Sequence, residues 1–301
     1  MKRYSFSVMP PLTPASTPTT TIVGGANYPA ELVAAVVRAT EAAASACLPL
    51  VGSGDKNAVD ELAVSAMREA LALAPFDGTV VIGEGEKDEA PMLANGERLG
   101  TGDGPSVDIA VDPLDGTRLA AENLPGAIAV IALAPRGSMF DPRDVFYMQK
   151  LIAGAAGIDV LDLRLPAAQN ASLLADALEK PIDDLVVAVL DKPRHASMVT
   201  ELRAAGARVR LVGEGDVSIA IAAATPGSGI DAVMGVGGTP EGVIAACAVR
   251  SLGGFMQGRM APQSDAQRSA ALAAGHDLGR VFSVEELVTS DRVLLVSTPV
   301  T

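Results

Sequence analysis

Between residues 184 and 251, three apolar segments that predict strands alternate with three segments at helical spacing. The predicted strands span 184–190, 207–212 and 230–236, and the predicted helices span 194–205, 216–224 and 239–251. At this spacing, strand–helix alternation predicts a parallel sheet with right-handed crossovers. Ligands of open α/β sheets bind at the carboxyl ends of the strands, so functional residues are expected directly after each predicted strand.

The first half of the chain has a different pattern, typical of a mixed α+β domain. Helices are predicted at 30–48 and 59–74, and strands at 79–82, 107–111, 127–134, 146–152 and 158–163. We place a boundary near residue 166, which predicts an α+β domain at 28–166 and an α/β domain at 167–301. Residues 1–27 are rich in Pro and Thr and lack the apolar segment of a secretory signal, so a disordered leader is predicted.

Composition limits the class of protein. The chain has 301 residues, 49% of them hydrophobic, which is enough for a large core. A net charge of −13 disfavours nucleic acids and anionic membranes as partners. Cys47 and Cys247 lie in Ala-rich helical patterns, typical of buried thiols in a reducing cytosol. No apolar stretch approaches the roughly 20 residues of a spanning helix, so a cytoplasmic enzyme is expected.

The segment Asp112-Pro113-Leu114-Asp115-Gly116-Thr117 follows an apolar strand pattern and carries the strongest chemical signal. The turn directs Asp112 and Asp115 into one small volume, where two carboxylates repel unless a proton or a metal lies between them. Oxygen ligands favour Mg²⁺ or Mn²⁺. Gly116 and Thr117 offer N–H groups and a hydroxyl to a phosphate. Metal-assisted chemistry on a phosphate ester is indicated, with a solvated turn as the alternative.

Polar residues follow each predicted strand of the second half, at 191–195, 213–216 and 237–241. Lys192 and Arg194 are suited to holding a phosphate. Helix capping is the alternative for Asp216 and for the Thr-Pro pair at 239–240. His195 is a weak signal, because a lone His more often makes one hydrogen bond at a surface.

An acidic loop at 84–89 follows the predicted strand at 79–82. Gly83 and Gly85 flank Glu84 and permit a close backbone approach, as a metal shell requires. A solvated charge run is the alternative.

Four segments, at 83–93, 112–117, 192–195 and 237–242, together resemble the class II fructose-1,6-bisphosphatases of bacteria. These belong to the lithium-sensitive, metal-dependent sugar and inositol phosphatase superfamily. The resemblance runs from about residue 30 to the C-terminus. It implies a layered sugar-phosphatase fold of the α/β class, with the active site between two domains.

The resemblance also implies a set of site residues. The implied metal ligands for Mn²⁺ or Mg²⁺ are Asp60 and Glu84 at one site, and Asp112, Asp115 and Glu241 at another. The implied catalytic residues, which position and activate the attacking water, are Asp88, Thr117 and Lys56. The implied substrate-binding residues are Asp115, Gly116, Thr117, Tyr147, Lys192, Pro193, Arg194, Glu214, Gly215, Asp216 and Gly238.

Three departures from the family pattern are present. Asp115 stands where some relatives carry Glu, and Glu214 replaces a usual Asp in the sugar-binding loop. The chain ends at Thr301, where relatives continue for several tens of residues. A shortened C-terminal domain is therefore expected, and a missing strand or helix would expose a sheet edge.

The expected activity is hydrolysis of fructose 1,6-bisphosphate to fructose 6-phosphate and phosphate, a step of gluconeogenesis. The partners expected are a small sugar bisphosphate and further copies of the chain in a dimer or tetramer. The alternatives are a sedoheptulose-1,7-bisphosphatase, an inositol-phosphate phosphatase, and a catalytically silent homologue that binds sugar phosphates. Retention of Lys192 and Arg194 disfavours a monophosphate substrate. The complete acidic set disfavours a silent protein.

Overall fold

The computed structural model describes residues 19–84, 93–142 and 145–301, and within them the chain forms two six-stranded sheets. The strands are β1 Thr21–Gly24, β2 Asp77–Ile82, β3 Arg98–Leu99, β4 Ser106–Asp115, β5 Ile128–Pro135, β6 Tyr147–Ala153, β7 Val186–Leu190, β8 Arg208–Val212, β9 Ala232–Gly238, β10 Phe255–Met260, β11 Phe282–Ser283 and β12 Leu294–Pro299. The first sheet has the order β1-β12-β5-β4-β2-β3, and the second β11-β10-β6-β9-β7-β8.

Helices cover both faces of each sheet. They are α1 Ala30–Cys47, α2 Lys56–Ala72, α3 Thr117–Ala121, α4 Ala167–Ala177, α5 Ala196–Ala204, α6 Asp216–Ala224, α7 Thr239–Leu252, α8 Asp265–Ala273 and α9 Val284–Leu287. α1 and α2 pack on the outer face of the first sheet, and α4 and α5 on the outer face of the second. α6 and α7 lie between the sheets. The resulting order of layers is αβαβα, which confirms the expected α/β class.

This layering follows from strand geometry, because successive side chains of a strand point to opposite faces of its sheet. On β5, Ile131 and Leu133 face α1 and α2, whereas Val130 and Ala132 face the central helices. Small side chains dominate the central layer, with Ala245 in α7 fully buried. Close packing of Ala-rich surfaces explains how the chain builds a large core with only 3% aromatic residues.

The second sheet combines parallel and antiparallel strands. β8, β7 and β9 run parallel, as their alternation with helices predicts, and each is followed by its predicted helix. β6 and β10 pair antiparallel beside them. The carboxyl ends of β7 and β9 therefore lie at the same edge, next to the N-termini of α6 and α7.

The sheets do not divide the chain at residue 166. β6, at Tyr147–Ala153, joins the second sheet, and β12, at Leu294–Pro299, returns to the first between β1 and β5. The predicted leader at 1–27 also extends too far, because Thr21–Gly24 is β1; residues 1–18 lie outside the described part of the chain.

Two smaller expectations are wrong. The predicted strand at 158–163 is irregular backbone after a short 3-10 turn, although Leu161 and Leu163 are buried. The expectation that no apolar stretch approaches the length of a spanning helix is also wrong. Within the described residues, one helical stretch, Ala30–Leu50, has the length and composition of a membrane span. Its apolar stripe, which includes Leu32 and Val36, packs into the core under the first sheet.

Candidate active site

A polar cleft of about 620 Å³ opens between the two sheets, where β4, β7 and β9 end and α6 and α7 begin. Its described lining is Lys56, Asp60, Glu84, Asp112, Leu114, Asp115, Gly116, Thr117, Arg118, Tyr147, Leu190, Lys192, Arg194, Gly213, Glu214, Gly215, Asp216, Gly237, Gly238 and Glu241. Among these residues seven carboxylates face four cationic side chains. The cleft is acidic, so an anionic ligand can enter only with additional cations.

Asp112 and Asp115 flank a bulge at the end of β4. Asp112 pairs with Val130 of β5 and Asp115 with Ile128, which leaves one extra residue on β4. Pro113 has no N–H to donate, and a bulge is where a strand tolerates proline. Oδ1 of Asp112 accepts the N–H of Leu114 at 3.0 Å, which closes the turn.

Asp115 reaches from the first sheet to α6, the helix that follows β8 of the second sheet. Its Oδ2 accepts the backbone N–H groups of Val217 at 3.2 Å and Ser218 at 3.4 Å, at the start of α6. Gly116 follows with φ of 90°, a left-handed conformation that favours glycine. The bulge thus ties the two halves of the cleft together at one carboxylate.

The pKa values of three carboxyl groups in the cleft are raised. Burial, and then the charges of Asp115, Glu84 and Glu241, raise the pKa of Asp112 well above its usual value. Burial, and then Asp216 and Glu241, raise the pKa of Asp115 to about 7. Burial also raises the pKa of Glu241, although the ammonium of Lys150 opposes this. These carboxylates repel one another unless protons or cations compensate them.

The donor set fits a hard divalent cation. In the described part of the chain, Oε2 of Glu241 is buried and has no hydrogen-bond partner. Buried polar atoms are normally paired, so this oxygen is a candidate metal ligand. No three His, Cys, Asp or Glu side chains among those residues form a group that could hold an ion unaided. Mg²⁺ commonly binds one or two carboxylates and completes its shell with waters and substrate phosphates.

The remaining predicted metal-binding and water-positioning residues that the structure describes lie on α2, at the start of α3, where Thr117 lines the cleft, and directly after β2. Asp60 is buried on α2 and lines the cleft, as does Lys56 in the first turn of the same helix. Asp55 caps that helix by accepting the N–H of Ala58 at 3.0 Å. Glu84 follows β2 and also lines the cleft. Asp88 lies outside the described residues.

Cationic and aromatic side chains form the opposite wall. Arg194 donates from Nε and Nη2 to the carbonyl oxygen of Val236, at 3.1 and 2.8 Å. Its guanidinium lies 5.3 Å from the centroid of the Tyr147 ring, within the range of a cation–π contact. Lys192 lines the cleft beside it, whereas Pro193, also predicted to bind substrate, does not.

His195 has a structural position rather than a catalytic one. It is buried, with Nδ1 2.7 Å from the carbonyl oxygen of Leu190, and its Nε2 accepts the N–H of Val236 at 2.8 Å. An accepting Nε2 requires the neutral ring with the proton on Nδ1. The ring therefore joins the ends of β7 and β9 and supports the turn that carries Lys192 and Arg194.

Glu214 is engaged by a residue that the sequence analysis missed. Its Oε2 accepts the backbone N–H of Arg118 at 3.0 Å and its Oε1 accepts Nε of Arg118 at 3.3 Å. Arg118 directly follows the Asp-Pro-Leu-Asp-Gly-Thr segment. A cationic residue next to this segment could have been recognised from the sequence as a candidate site residue. Lys150 was also missed, and its signal was a lysine inside an apolar strand pattern.

The sequence profile of the bacterial fructose-1,6-bisphosphatases, described as glpX-encoded, matches residues 30–301. The chain belongs to this family. The resemblance drawn from the four motifs is thereby confirmed, and membership implies dependence on a divalent metal ion.

Two curated relatives of this bisphosphatase family member come from Escherichia coli K12. Fructose-1,6-bisphosphatase 2 class 2 is 44% identical over 88% of this chain and 86% of its own length. Fructose-1,6-bisphosphatase 1 class 2 is 41% identical over 90% of this chain and 84% of its own length. Among solved structures, an extragenic suppressor from Pyrococcus furiosus has a TM-score of 0.39 at 14% identity, covering 89% of this chain and 93% of that one.

Proposed function

We propose that this chain hydrolyses fructose 1,6-bisphosphate at the 1-phosphate, yielding fructose 6-phosphate and phosphate, with Mn²⁺ or Mg²⁺ as cofactor. The proposal is carried by one observation. An acidic group containing Asp112, Asp115 and Glu241 shares a single cleft with the cationic pair Lys192 and Arg194. A bisphosphate needs both, because one phosphate reacts among metal ions while the other is held by fixed cations.

Each part of the cleft has a task in this proposal. Asp60, Glu84, Asp112, Asp115 and Glu241 would hold the divalent ions. When bound, such ions neutralise the phosphoryl oxygens and lower the pKa of the attacking water.

The chain's own residues do the rest. Thr117 and Lys56 line the cleft beside the acidic group, where they position the attacking water, and Asp88 takes its proton. Lys192 binds the distal phosphate as a point charge, and Arg194 binds it through the guanidinium N–H groups that are not bound to Val236. Tyr147 makes a cation–π contact with the guanidinium of Arg194 and helps to hold it in place. Gly238 allows the substrate to approach the end of β9, and Glu214 shapes the sugar side of the cleft through Arg118.

Glu214 in place of the usual Asp bears on substrate choice. Both of its oxygens are bound by Arg118, so the longer side chain is used within the protein. We therefore expect the sugar to be contacted by the neighbouring backbone and by Asp216. The proposal also includes a cytoplasmic location, expected from the cysteine pattern and composition, and a homo-oligomer, implied by the family resemblance.

Phosphate release tests the proposal with three substrates: fructose 1,6-bisphosphate, sedoheptulose 1,7-bisphosphate and inositol 1-phosphate. Each is assayed with Mn²⁺, with Mg²⁺ and with EDTA. We expect the highest kcat/KM for fructose 1,6-bisphosphate and no release in EDTA. Faster turnover of either other substrate would replace the proposed one, and a folded protein that releases no phosphate would contradict the proposed enzyme class.

A further inference from the structure

A lysine interrupts the apolar inner face of the second sheet. On β6, Met148 and Ile152 belong to the central core between the sheets. Lys150 lies two residues from each, on the same face of the strand, and is only 4% exposed. Burial of an ammonium is costly unless partners compensate the lost hydration. The partners of Lys150 therefore indicate what it does.

The ammonium group joins two parts of the cleft wall. Nζ of Lys150 donates to Oδ2 of Asp216, the first residue of α6, and to the carbonyl oxygen of Gly238, at 3.2 Å. Asp216 and Gly238 both line the cleft, whereas Lys150 lies behind them. The side chains of Lys150 and Asp216 are 5% and 11% exposed, so solvent screens this pair little.

The backbone leaves space for the ion pair. A Cβ on Gly237 would come within 1.9 Å of Oδ2 of Asp216 and 2.8 Å of Nζ of Lys150. A Cβ on Gly242 would lie 3.4 Å from Cδ of Lys150. The end of β9 and the start of α7 are thus built around the lysine, which cannot move far from its two acceptors.

Stability alone does not require this arrangement. Replacing a buried ion pair by well-packed apolar side chains is often neutral or stabilising. A buried pair does fix geometry, because a charged donor bound to two acceptors sets their separation. Here the two acceptors belong to the carboxyl end of β9 and the start of α6, where ligands of such sheets bind.

We propose that Lys150 is a positioning residue, which holds Asp216 and the Gly238 carbonyl at a fixed separation and so sets the affinity of the cleft for the sugar phosphate. This inference rests on the proposed function, since it assigns a role within the same site. Lys150 touches no substrate. Its effect passes through Asp216, and loss of the ammonium should weaken binding more than it slows the chemical step.

The experiment compares four variants with the wild type: Lys150→Met, Asp216→Asn, the double variant of the two, and Lys180→Met. Lys180 is the matched control, because it forms a Lys–Asp pair with Asp231 in the same half of the protein, at 2.7 Å, away from the cleft. KM and kcat are measured by phosphate release, and the Kd of the product fructose 6-phosphate, which is not turned over, by calorimetry.

In Lys150→Met we expect KM and Kd to rise about tenfold, the scale of a lost hydrogen bond to a charged group, with less change in kcat. The double variant should lose much less affinity than the product of the two single effects, because both single changes break the same Lys150–Asp216 link. Lys180→Met should change the melting temperature and leave KM at the wild-type value.

Two results would overturn the proposal. One is a wild-type KM and Kd in Lys150→Met, and the other is a double variant whose KM reflects the product of two independent effects. If Lys150→Met does not fold, the double variant, in which neither partner is charged, supplies the comparison with Asp216→Asn. Absence of turnover in the wild type would contradict the proposed function alone, because a weakened Kd in Lys150→Met would still support the role of Lys150.

Discussion

The stability of the metal-free protein should depend on the proton that Asp115 holds. Asp115 is 5% exposed, and burial, with the charges of Asp216 and Glu241, raises its pKa from 3.8 to about 7. In the unfolded chain the pKa of Asp115 returns to its ordinary value. Between about pH 4 and pH 7 the native state therefore binds a proton that the unfolded state has released. The free energy of unfolding falls as pH rises through that window, and no further loss from this group follows above it.

The size of the effect follows from the shift. One pH unit within the window corresponds to about 1.4 kcal/mol for one proton. From pH 5 to pH 7.5, deprotonation of Asp115 therefore lowers the free energy of unfolding by about 3 kcal/mol. Nearly all of this loss occurs below about pH 7, the pKa of Asp115 in the native state. That is a large part of the roughly 5–15 kcal/mol that stabilises a typical protein.

Asp115→Asn removes the titrating group and keeps an oxygen for the N–H groups of Val217 and Ser218. We expect urea unfolding in EDTA to show a loss between pH 5 and pH 7.5 that is about 3 kcal/mol smaller than in the wild type. Glu285→Gln is the control, because Glu285 pairs with Arg250 at the surface and its side chain is 55% exposed. It should retain the wild-type pH dependence. Equal pH dependence in Asp115→Asn and wild type would refute the electrostatic account of the cleft.

Three further predictions concern other residues of the site. Asp112→Asn should lower kcat by at least about 100-fold and abolish the rise in melting temperature that Mn²⁺ produces, with an unchanged circular dichroism spectrum; normal turnover would remove Asp112 from the metal site. Lys192→Ala should raise KM for the bisphosphate more than it lowers kcat, and an unchanged KM would exclude Lys192 from substrate binding. Burial lowers the pKa of His195, so the contribution of this residue to stability should be lost as pH falls below about 6.5, where the unfolded chain gains the proton first, opposite in sign to the contribution of Asp115. In urea unfolding, His195→Asn should therefore gain stability relative to the wild type as pH falls from about 7 to about 5, and a constant difference between the two proteins would mean that His195 is not held neutral.

Local patterns predicted most of the elements, whereas most of the residues that line the described cleft were implied by the family resemblance. The helix at 216–224 and the strand at 107–111 were recognised because their periodicity is a property of neighbouring residues. The Asp112 and Asp115 carboxylates were recognised because the turn chemistry of Pro113 and Gly116 is equally local.

Long-range pairing could not be predicted in the same way. Nothing within Tyr147–Ala153 indicates that β6 joins the second sheet, and nothing within Leu294–Pro299 indicates that β12 returns to the first. Contacts between side chains that are far apart in the sequence could not be predicted either. Asp115 caps a helix that starts about 100 residues later, and Lys150 meets Asp216 across 66 positions of sequence. The prediction of a strand at 158–163 was wrong because buried leucines also occur in irregular segments.

The most direct test of the central claim is identification of the product that the chain forms from fructose 1,6-bisphosphate with Mn²⁺, by an enzyme-coupled assay specific for fructose 6-phosphate. The account predicts one fructose 6-phosphate for each phosphate released, with formation abolished by EDTA and in Asp112→Asn. Fructose 1-phosphate as the product, or release that persists in EDTA or in Asp112→Asn, would contradict metal-dependent hydrolysis of the 1-phosphate at this cleft.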